Sequence, residues 1–310
     1  MEIIRGLNNL PPDQQGCALA IGNFDGVHLG HQALLRQLVN AASERHLTSV
    51  VMTFMPHPQE FFIPEHHVAY LLHLREKFEY IAATGVQRLL CVRFNAQLAA
   101  MSAQSFVSDL LLERLGVHYL TVGDDFRFGH QRQGNFALLQ QFAAQADFMV
   151  EAAPTIEWDS ERVSSTRVRL ALQQGDLVLA QALLGRPYSI SGRVMHGDKR
   201  GRTIGFPTAN INLKRRNVPV AGVYAVEVEG LEDRPLAGVA NIGSRPTIDG
   251  QRSLLEVHLF DFDRTIYGQR VNVILRHKIR DEQRFTGLDE LKQQIALDAV
   301  QAKQFLKVNV

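Results

Sequence analysis

The sequence predicts an α/β fold in two parts, a doubly wound parallel sheet in residues 1–186 and an antiparallel β-barrel with one closing helix in residues 187–310. Three observations support this prediction. In the first part, short apolar runs alternate with segments of helical spacing, as in strands joined by crossover helices. In the second part, short alternating runs are separated by turn residues, which is typical of barrels. Gly185 and Pro187 interrupt the helical pattern between them, so we expect the domain boundary there.

The composition is that of an ordinary soluble protein. With 310 residues, of which 45% are apolar and 21% charged, the chain is long enough for two cores. No apolar run approaches the roughly 18–20 residues of a membrane span, and the first residues lack a signal-peptide pattern. Cys17 and Cys91 lie in apolar runs without metal-ligand spacing, so we expect reduced core thiols. These features favour a cytoplasmic protein that does not bind membranes.

The small net charge of +1 hides a difference between the two halves. Residues 1–186 contain 14 Lys and Arg against 18 Asp and Glu, and residues 187–310 contain 19 against 14. A basic half could serve nucleic acid or a polyanionic small molecule. Its basic residues are dispersed, apart from those at 214–216, and have little of the aromatic company that single-strand binders use. The pattern therefore favours a small-molecule partner over nucleic acid.

The first half contains the elements of a parallel sheet in order. Pro56 and Pro58 impose an extended loop after the strand 49–54. Gly85 and Gly116 follow helical segments, and glycine commonly closes a helix. The predicted strands are 2–5, 17–21, 49–54, 88–94, 118–123 and 147–152, and the predicted helices begin at about residue 30 and cover 71–83, 102–115, 135–144 and 171–184.

The junction at 22–31 is the first candidate site. Gly22 and Gly26 flank a turn where the backbone can bend tightly or approach a ligand. His28 and His31 follow three residues apart, so their rings fall on one side of the first helical turn. The free N–H groups and the positive dipole end of the helix point the same way, which favours a phosphate. The chain has twelve histidines, so a single histidine at this position would indicate an ordinary role. Two histidines directly after a glycine-rich turn favour a functional site.

The segment 162–169 is the second candidate site. Three consecutive hydroxyl residues lie among three arginines at a predicted helix start. Such hydroxyls can cap the helix or join its N–H groups around a phosphate, and their number favours phosphate. In a doubly wound sheet, the loops 22–31, 123–129 and 162–169 would meet at the carboxyl edge of the strands. The chain lacks the glycine motifs of P-loop and dinucleotide-binding proteins, which argues against both classes.

The two candidate sites resemble the nucleotidylyltransferases that carry the motif His-x-Gly-His. The resemblance rests on residues 28–31 and on Ser-Ser-Thr-x-x-Arg at 164–169. The fuller segments 22–31, 53–58 and 122–129 resemble the FMN adenylyltransferase module of bacterial bifunctional riboflavin kinase/FAD synthetases. That resemblance implies that His28 and His31 stabilise charge on ATP while the FMN phosphate attacks the α-phosphorus. It further implies ATP or phosphate binding by Gly22, Phe24, Gly30, Arg162, Ser165, Thr166 and Arg169, and flavin binding by His57, Pro58, Phe62, Asp125 and Phe128.

The second half contains a candidate magnesium site. A basic, glycine-rich segment at 196–206 could cradle phosphates, although a flexible loop is the simpler interpretation. Thr208 and Asn210, two residues apart, offer the hard oxygen ligands that Mg²⁺ accepts. Glu256 alternates with apolar neighbours, so a solvated and a functional role are equally open. The predicted strands are 188–195, 223–229, 236–242, 253–260 and 271–278, and a helix is predicted over 287–306.

Four segments of this half, 205–210, 222–224, 241–247 and 256–268, are similar to the riboflavin kinase barrel. The similarity implies that Thr208 and Asn210 bind Mg²⁺ with ATP. It also implies that Glu256 is the general base for the ribityl 5′-hydroxyl, a suitable role for a positioned carboxylate. ATP contacts are implied for Gly201 and Gly205, and flavin contacts for Arg280 and Phe285.

The two resemblances cover nearly the whole chain and imply a two-step enzyme. The second half would convert riboflavin and ATP to FMN and ADP, and the first half would convert FMN and ATP to FAD and pyrophosphate. One alternative is a nucleotidylyltransferase for another phosphate ester whose barrel only binds substrate. A second, from outside catalysis, is a nucleotide sensor with an RNA-binding barrel. The sequence leaves the oligomeric state open.

Overall fold

The chain forms two compact units, Met1–Val68 with Leu74–Ser164 and Ala69–His73 with Ser165–Val310. The structure is a computed structural model that describes residues 1–11, 16–63, 68–196, 206–213, 217–247 and 250–308, with the backbone alone at 244–247 and 250–252. The units are groups of contacting residues, and the predicted boundary of the functional domains at 186/187 stays a prediction. Within the described residues, no helix combines the length and apolar character needed to cross a membrane.

The first unit is built on a six-stranded parallel sheet, as the sequence predicts. The strand order is β1-β4-β3-β2-β5-β6. The chain leaves β2 towards β3 and β4 and then returns to place β5 on the other side of β2. A ligand site is expected outside the carboxyl ends of strands at such a switch point. The strands are β1 Glu2–Arg5, β2 Cys17–Ile21, β3 Thr48–Met55, β4 Arg88–Arg93, β5 Val117–Val122 and β6 Met149–Ala152.

The connecting segments of this unit confirm most predicted helices. The predicted helix 71–83 begins later, at Leu74, and the predicted helix 102–115 is a short helix that continues as a π-helix over Phe106–Arg114. The helices are α1 Leu29–Glu44, α2 Pro58–Phe62, α3 Leu74–Ala82, α4 Ala96–Ala100, α5 Ala103–Ser105 and α6 Phe136–Ala143. Short 3-10 turns cover Leu7–Asn9 and His130–Arg132, and a two-stranded hairpin follows, β7 Glu157–Trp158 with β8 Glu161–Arg162.

The core of the first unit lies around the central strands. All five residues of β2 are buried, as expected for a continuous apolar strand covered on both faces. Leu34, Leu35 and Leu38 of α1 are also buried, which confirms the predicted apolar stripe of this helix. Full burial of each such side chain stabilises the fold by about 1.5–3 kcal/mol. The strand–turn–helix junction is therefore held by core packing on both sides.

The second unit contains a closed antiparallel barrel, which confirms the predicted class. The predicted helix 171–184 is two helices, because Gly175 adopts a left-handed φ of 77° and Asp176 caps a new helix by accepting from the Leu179 N–H at 2.8 Å. The helices are α7 Ser165–Gln174 and α8 Leu177–Leu184. The barrel order is β10-β13-β12-β11-β14-β9, with β9 Ser189–Met195, β10 Ala209–Asn212, β11 Gly222–Glu229, β12 Leu236–Thr247, β13 Gly250–Leu259 and β14 Arg270–Arg280.

The predicted closing helix is present as α9, Leu288–Leu306. It packs on β11, β12 and β14, where Ala302 joins Val223, Val239 and Phe260 in a small apolar cluster. The barrel end beneath this helix is thus covered, and its side chains form a core of their own. The strand β10 has no counterpart among the predicted strands, because two of its four residues are asparagines, which are uncommon in strands.

Candidate active sites

The two histidines of the first unit are brought together at the β2–α1 junction. His28 is the N-cap of α1, with extended backbone at φ −70° and ψ 173°, and its Nδ1 accepts the N–H of His31 at 3.3 Å. The two rings stack, with centroids 3.7 Å apart and an interplanar angle of 19°. His28 is 6% exposed. The three-residue spacing therefore gives one compact imidazole pair at a helix start.

The turn before this pair has a tightly constrained backbone. Phe24 and Val27 have positive φ values of 47° and 42°, a region that favours glycine, although both side chains are buried. A Cβ added at Gly22 would lie 3.1 Å from the Phe24 ring. A Cβ added at Gly30 would lie 3.2 Å from the His28 ring. Both glycines thus permit a close approach that a side chain would disturb.

The imidazole pair lies in a buried environment beside a cationic side chain. Burial holds the pKa of His31 well below its usual value, and the nearby His28 and Lys77 act in the same direction. The His31 Nδ1 is buried and has no hydrogen-bond partner among the residues that the structure describes. Lys77 of α3 is 6% exposed, and its Nζ donates to the Asn23 carbonyl at 2.7 Å. Sequence reasoning missed Lys77, although its four-residue spacing from the buried Ile81 could have placed it on the inner face of α3.

Two aspartates in the loop after β5 form ion pairs with an arginine of the second candidate site. Arg162 forms ion pairs with Asp124, Nη1 to Oδ1 at 2.7 Å, and with Asp125, Nη2 to Oδ1 at 3.4 Å. A Cβ at Gly123 would come within 2.8 Å of the Asp125 carboxylate. All three charged side chains are more than 40% exposed. Because exposed pairs contribute little, an incoming polyanion could compete for Arg162.

An aromatic cluster lies after β3 and β4. His57 caps α2, where its Nδ1 accepts the Gln59 N–H at 3.2 Å, and Pro58 occupies the first helical position. Phe62 is 62% exposed, and its ring centroid lies 5.7 Å from that of Phe94. Sequence reasoning placed Phe94 at the end of the predicted strand 88–94 and gave it no site role, whereas the structure ends β4 one residue earlier. The cluster consists of Phe54, Phe61, Phe62 and Phe94.

Phe128 is placed differently from Phe62. It is 5% exposed and packs in the main core, stacked on Phe126 with 5.7 Å between centroids. A Cβ at Gly134 would lie 2.6 Å from the Phe128 ring, so the backbone there closes over the aromatic side chain. Phe128 thus supports the loop after β5 from within the core, whereas the ring of Phe62 is exposed to solvent.

The three hydroxyl residues of the second candidate site are divided between the units, with Ser164 in the first and Ser165 and Thr166 in the second. Ser165 and Thr166 form the first turn of α7, which contains no acidic residue. The Arg169 Nε donates to the Ala69 carbonyl at 2.9 Å. Hydroxyl and basic groups are therefore present at a helix start whose dipole favours anions.

Strand register creates the candidate site of the barrel. Glu256 of β13 lies directly opposite Asn210 of β10 and opposite Asn241 of β12. Directly opposite residues share one face of a sheet, with Cβ atoms about 4.5–5.5 Å apart. Leu255 and Val257 are buried on the other face, and Glu256 is half-buried. The register thus places an asparagine on each neighbouring strand opposite this carboxylate, an arrangement that alternation alone did not indicate.

Thr208 borders a cleft in the same unit. The cavity has a volume of about 330 Å³, which is within the range of small-molecule sites. One wall is apolar, and Asp263, Arg264 and Tyr267 give the other a polar character. The adjacent Pro207 carbonyl lies 2.9 Å from the His258 Nδ1, which fixes the backbone before Thr208. The apolar wall is formed by Val194, Val257, Leu259 and Ile266.

The remaining predicted site residues of the barrel have separate surroundings. Arg280 donates to Asp298 of α9 through Nη2 at 2.7 Å and Nε at 2.9 Å, and its guanidinium lies 5.6 Å from the Phe285 ring centroid. Asp298 is 3% exposed. Arg280 therefore ties the end of β14 to α9. The predicted ATP contacts Gly201 and Gly205 lie outside the described residues.

Comparison with known proteins gives one consistent family for each half. The family model for FAD synthetase matches residues 10–167, and that for riboflavin kinase matches residues 184–306. A protein from Escherichia coli K12 is 54% identical over 306 residues, with 98% of each chain covered. A protein from Haemophilus influenzae is 49% identical over 305 residues, covering 98% of this chain and 99% of its own. Both relatives are named bifunctional riboflavin kinase/FMN adenylyltransferase.

A solved structure supports the fold over the same length. A crystal structure described as a macrolide-efflux protein from Streptococcus pneumoniae matches with a TM-score of 0.80 and 32% identity, covering 96% of this chain and 97% of that one. Its description differs from that of the two relatives above. This match therefore supports the arrangement of the secondary-structure elements.

Proposed function

The chain belongs to the bifunctional riboflavin kinase/FMN adenylyltransferase family, and we propose that residues 187–310 phosphorylate riboflavin while residues 1–186 adenylylate the resulting FMN. The observation that carries this proposal is the match of both family models, one to each half, within relatives that share the full length. The structure adds a distinct polar constellation in each half. Riboflavin, FMN and ATP are therefore the substrates of the proposed reaction sequence.

The adenylyl-transfer step needs alignment more than a protein nucleophile. An oxygen of the FMN phosphate forms a bond to the α-phosphorus of ATP, and the bond from that phosphorus to the pyrophosphate oxygen breaks. A phosphate monoester is already an anionic nucleophile, so the protein must neutralise charge and hold the groups in line. We assign this role to His28 and His31, whose stacked rings at a helix N-terminus are suited to donating hydrogen bonds to phosphate oxygens.

Phosphate binding in this step is assigned to backbone and side-chain donors together. Gly22 and Gly30 allow the close backbone approach described above, and Phe24 lies in the turn between them. The exposed guanidinium of Arg162 can exchange its aspartate partners for a triphosphate. The proposal also assigns phosphate contacts to Ser165, Thr166 and Arg169.

Flavin binding in the first half is assigned to the segments after β3 and β5. Stacking on an exposed aromatic ring suits the flat isoalloxazine ring system, and Phe62 offers such a face. His57 and Pro58 set the start of the helix that carries Phe62. Asp125 and Phe128 complete the assignment, the first as an exposed carboxylate and the second as support beneath the loop.

The kinase step is assigned to the amide-flanked carboxylate of the barrel. Glu256 accepts the proton of the ribityl 5′-hydroxyl. The hydroxyl oxygen forms a bond to the γ-phosphorus of ATP, and the bond from that phosphorus to the departing oxygen of ADP breaks. Thr208 and Asn210 would hold Mg²⁺, because their hydroxyl and carbonyl oxygens are donors that this ion accepts, and few protein ligands suffice for an ion that also binds phosphate and water. When bound, Mg²⁺ neutralises charge on the transferring phosphoryl group.

The remaining assignments complete the proposal. ATP contacts are proposed for Gly201 and Gly205, and riboflavin contacts for Arg280 and Phe285, supported by the guanidinium–ring arrangement of the last two. Cys17 and Cys91 are buried thiols, which is compatible with the proposed cytoplasmic location. We also propose that this protein binds small molecules and not nucleic acid.

Flavins resolved by chromatography over time from riboflavin, ATP and Mg²⁺ test the function. FMN should appear first and FAD second. Glu256→Ala should reduce FMN formation by about 100- to 10,000-fold, the usual range for loss of a general base, while added FMN still becomes FAD. If the unaltered chain adenylylates FMN but never phosphorylates riboflavin, the alternative with a non-catalytic barrel replaces the proposal.

A further inference from the structure

Lys77 is a buried charge that the proposed mechanism has not used. It lies in α3 of the first unit with 6% of its surface exposed. Burying an ammonium group is costly unless polar partners replace the lost water. Burial accordingly lowers its pKa, and the nearby Asp25 and Cys91 raise it in part. A lysine in this position therefore needs a structural or functional reason.

The partners of this ammonium lie in the turn that leads to the histidine pair. Lys77 Nζ donates to the Asn23 carbonyl at 2.7 Å, and the buried Thr53 hydroxyl donates to the same oxygen at 3.4 Å. Asp25, two residues further along the turn, is 2% exposed and attracts the ammonium. Two donors thus hold one carbonyl of the turn against α3 and β3.

Anchoring this carbonyl fixes a backbone donor on the other side of the same peptide. In a trans peptide the C=O and the following N–H point in opposite directions. The N–H that follows the Asn23 carbonyl belongs to Phe24, and it has no acceptor among the residues described by the structure. With the carbonyl directed inward, this N–H points the other way. Phe24 is fully buried, so the N–H is a buried donor without an acceptor among the described residues, as expected where a bound anion supplies one.

The local backbone makes such an anchor necessary. Phe24 and Val27 both hold left-handed φ values that are unfavourable for residues with side chains. If this peptide rotated, the Phe24 N–H would turn away from the phosphate. The Asn23 carbonyl, which is an acceptor, would then face the phosphate in its place. A buried side-chain donor at the carbonyl opposes that rotation.

We propose that Lys77 is a positioning residue for adenylyl transfer, which holds the Asn23 carbonyl inward so that the Phe24 N–H is directed at an ATP phosphate. This inference rests on the proposed function of the first half. Lys77 acts through the turn and does not itself contact the reacting atoms. The motif resemblance already implies a phosphate contact at Phe24, and Lys77 adds the buried group that orients the N–H of this residue.

Lys77→Met tests this role, because it keeps an unbranched apolar stem that ends one bond short of the ammonium position and removes the donor. We expect the kcat of adenylyl transfer to fall by about 10- to 100-fold, as for other supporting contacts of a site, with the KM for FMN unchanged. The riboflavin kinase rate of the same sample should be unaltered. Arg75→Met is the matched control, since Arg75 lies on the same helix with its side chain 61% exposed; both activities should be retained.

Folding is followed separately through the single tryptophan, Trp158, which lies in the first unit. If Lys77→Met does not fold, Lys77→Gln, whose amide ends one bond short of the ammonium position, is measured in its place and should also lose adenylyl transfer. A folded variant with adenylyl transfer within about threefold of the unaltered chain overturns the positioning role, and so does a loss confined to the KM for FMN. Failure of the unaltered chain to make FAD from FMN would instead overturn the proposed function, and this inference with it.

Discussion

The two units build their candidate sites in different ways. In the first unit, functional groups come from loops that follow parallel strands, such as the His28–His31 pair after β2 and Asp124 after β5. In the second unit, Asn210, Glu256 and Asn241 face one another across three adjacent antiparallel strands. The first site therefore depends on turn and cap geometry, and the second depends on register. A slip of one residue in the barrel would move Glu256 to the opposite face.

This difference determines which substitutions matter. In the first unit a single side chain can be both a proposed catalytic group and a local structural element, as His28 is when it caps α1. In the second unit the strands hold Glu256 independently of its own contacts, because backbone ladders fix its position. Loss of a side chain should thus disturb geometry in the first site more than in the second.

Variants of His28 provide the largest expected effect. His28→Ala removes the imidazole and the helix cap together, whereas His28→Asn removes the imidazole and keeps a good cap. Both should lower the kcat of adenylyl transfer by about 100- to 1000-fold, the range for loss of one donor to developing charge. Only His28→Ala should also destabilise the first unit, by about 1 kcal/mol, as measured by urea unfolding followed through Trp158.

The comparison of these two variants separates the roles. Recovery of the rate in His28→Asn would mean that the cap, and not the imidazole, supports catalysis. Riboflavin kinase activity serves as the control in both, since the sites of the two reactions are proposed in different halves.

Removal of the buried carboxylate of Asp298 should have a smaller effect and should act on the second unit. Asp298→Ala leaves Arg280 without its bidentate partner at 2.7 and 2.9 Å. Loss of one member of a fully buried pair costs about 3–5 kcal/mol, and we expect about 2 kcal/mol here because the Arg280 side chain is 17% exposed. Riboflavin kinase activity should be lost at a lower temperature than in the unaltered chain. Adenylyl transfer should be affected less, because only Ser165, Thr166 and Arg169 of its proposed site belong to the second unit.

Asp289→Ala, at an exposed position of the same helix, is the control for this comparison. Equal heat inactivation of the two activities in Asp298→Ala would contradict the independence of the two sites. An unchanged inactivation temperature would show that the Arg280–Asp298 pair contributes nothing measurable.

Local patterns predicted the fold and much of the first site. The His28–His31 spacing is local, so the helix start alone brings the rings together. Gly175 and Asp176 carried a break signal inside an otherwise helical pattern, and the apolar periodicity on both sides concealed it. Periodicity identifies the face of an element but not the residue that it meets.

Long-range contacts account for what the sequence could not provide. Glu256 lies opposite Asn210 only because β10 pairs with β13, and the two asparagines of β10 conceal its strand pattern. Lys77 meets Asn23 across 54 residues, through packing of α3 against the turn. Phe94 joins Phe62 because β4 lies beside β3. These pairs depend on which elements are neighbours, a property that single-sequence patterns do not contain.

The pH dependence of the first unit is the smallest predicted effect, and it tests the buried surroundings of His31. In the unfolded chain an imidazole takes up its proton near pH 6.5, whereas burial and neighbouring cations hold the folded pKa of His31 well below that value. The unfolded chain therefore binds more protons as the pH falls below about 6.5, and stability should decrease by at most about 1.4 kcal/mol per pH unit. Urea unfolding followed through Trp158 at several pH values should show a steeper decrease for the unaltered chain than for His31→Asn, and equal slopes would mean that His31 is as easily protonated in the folded unit as in water.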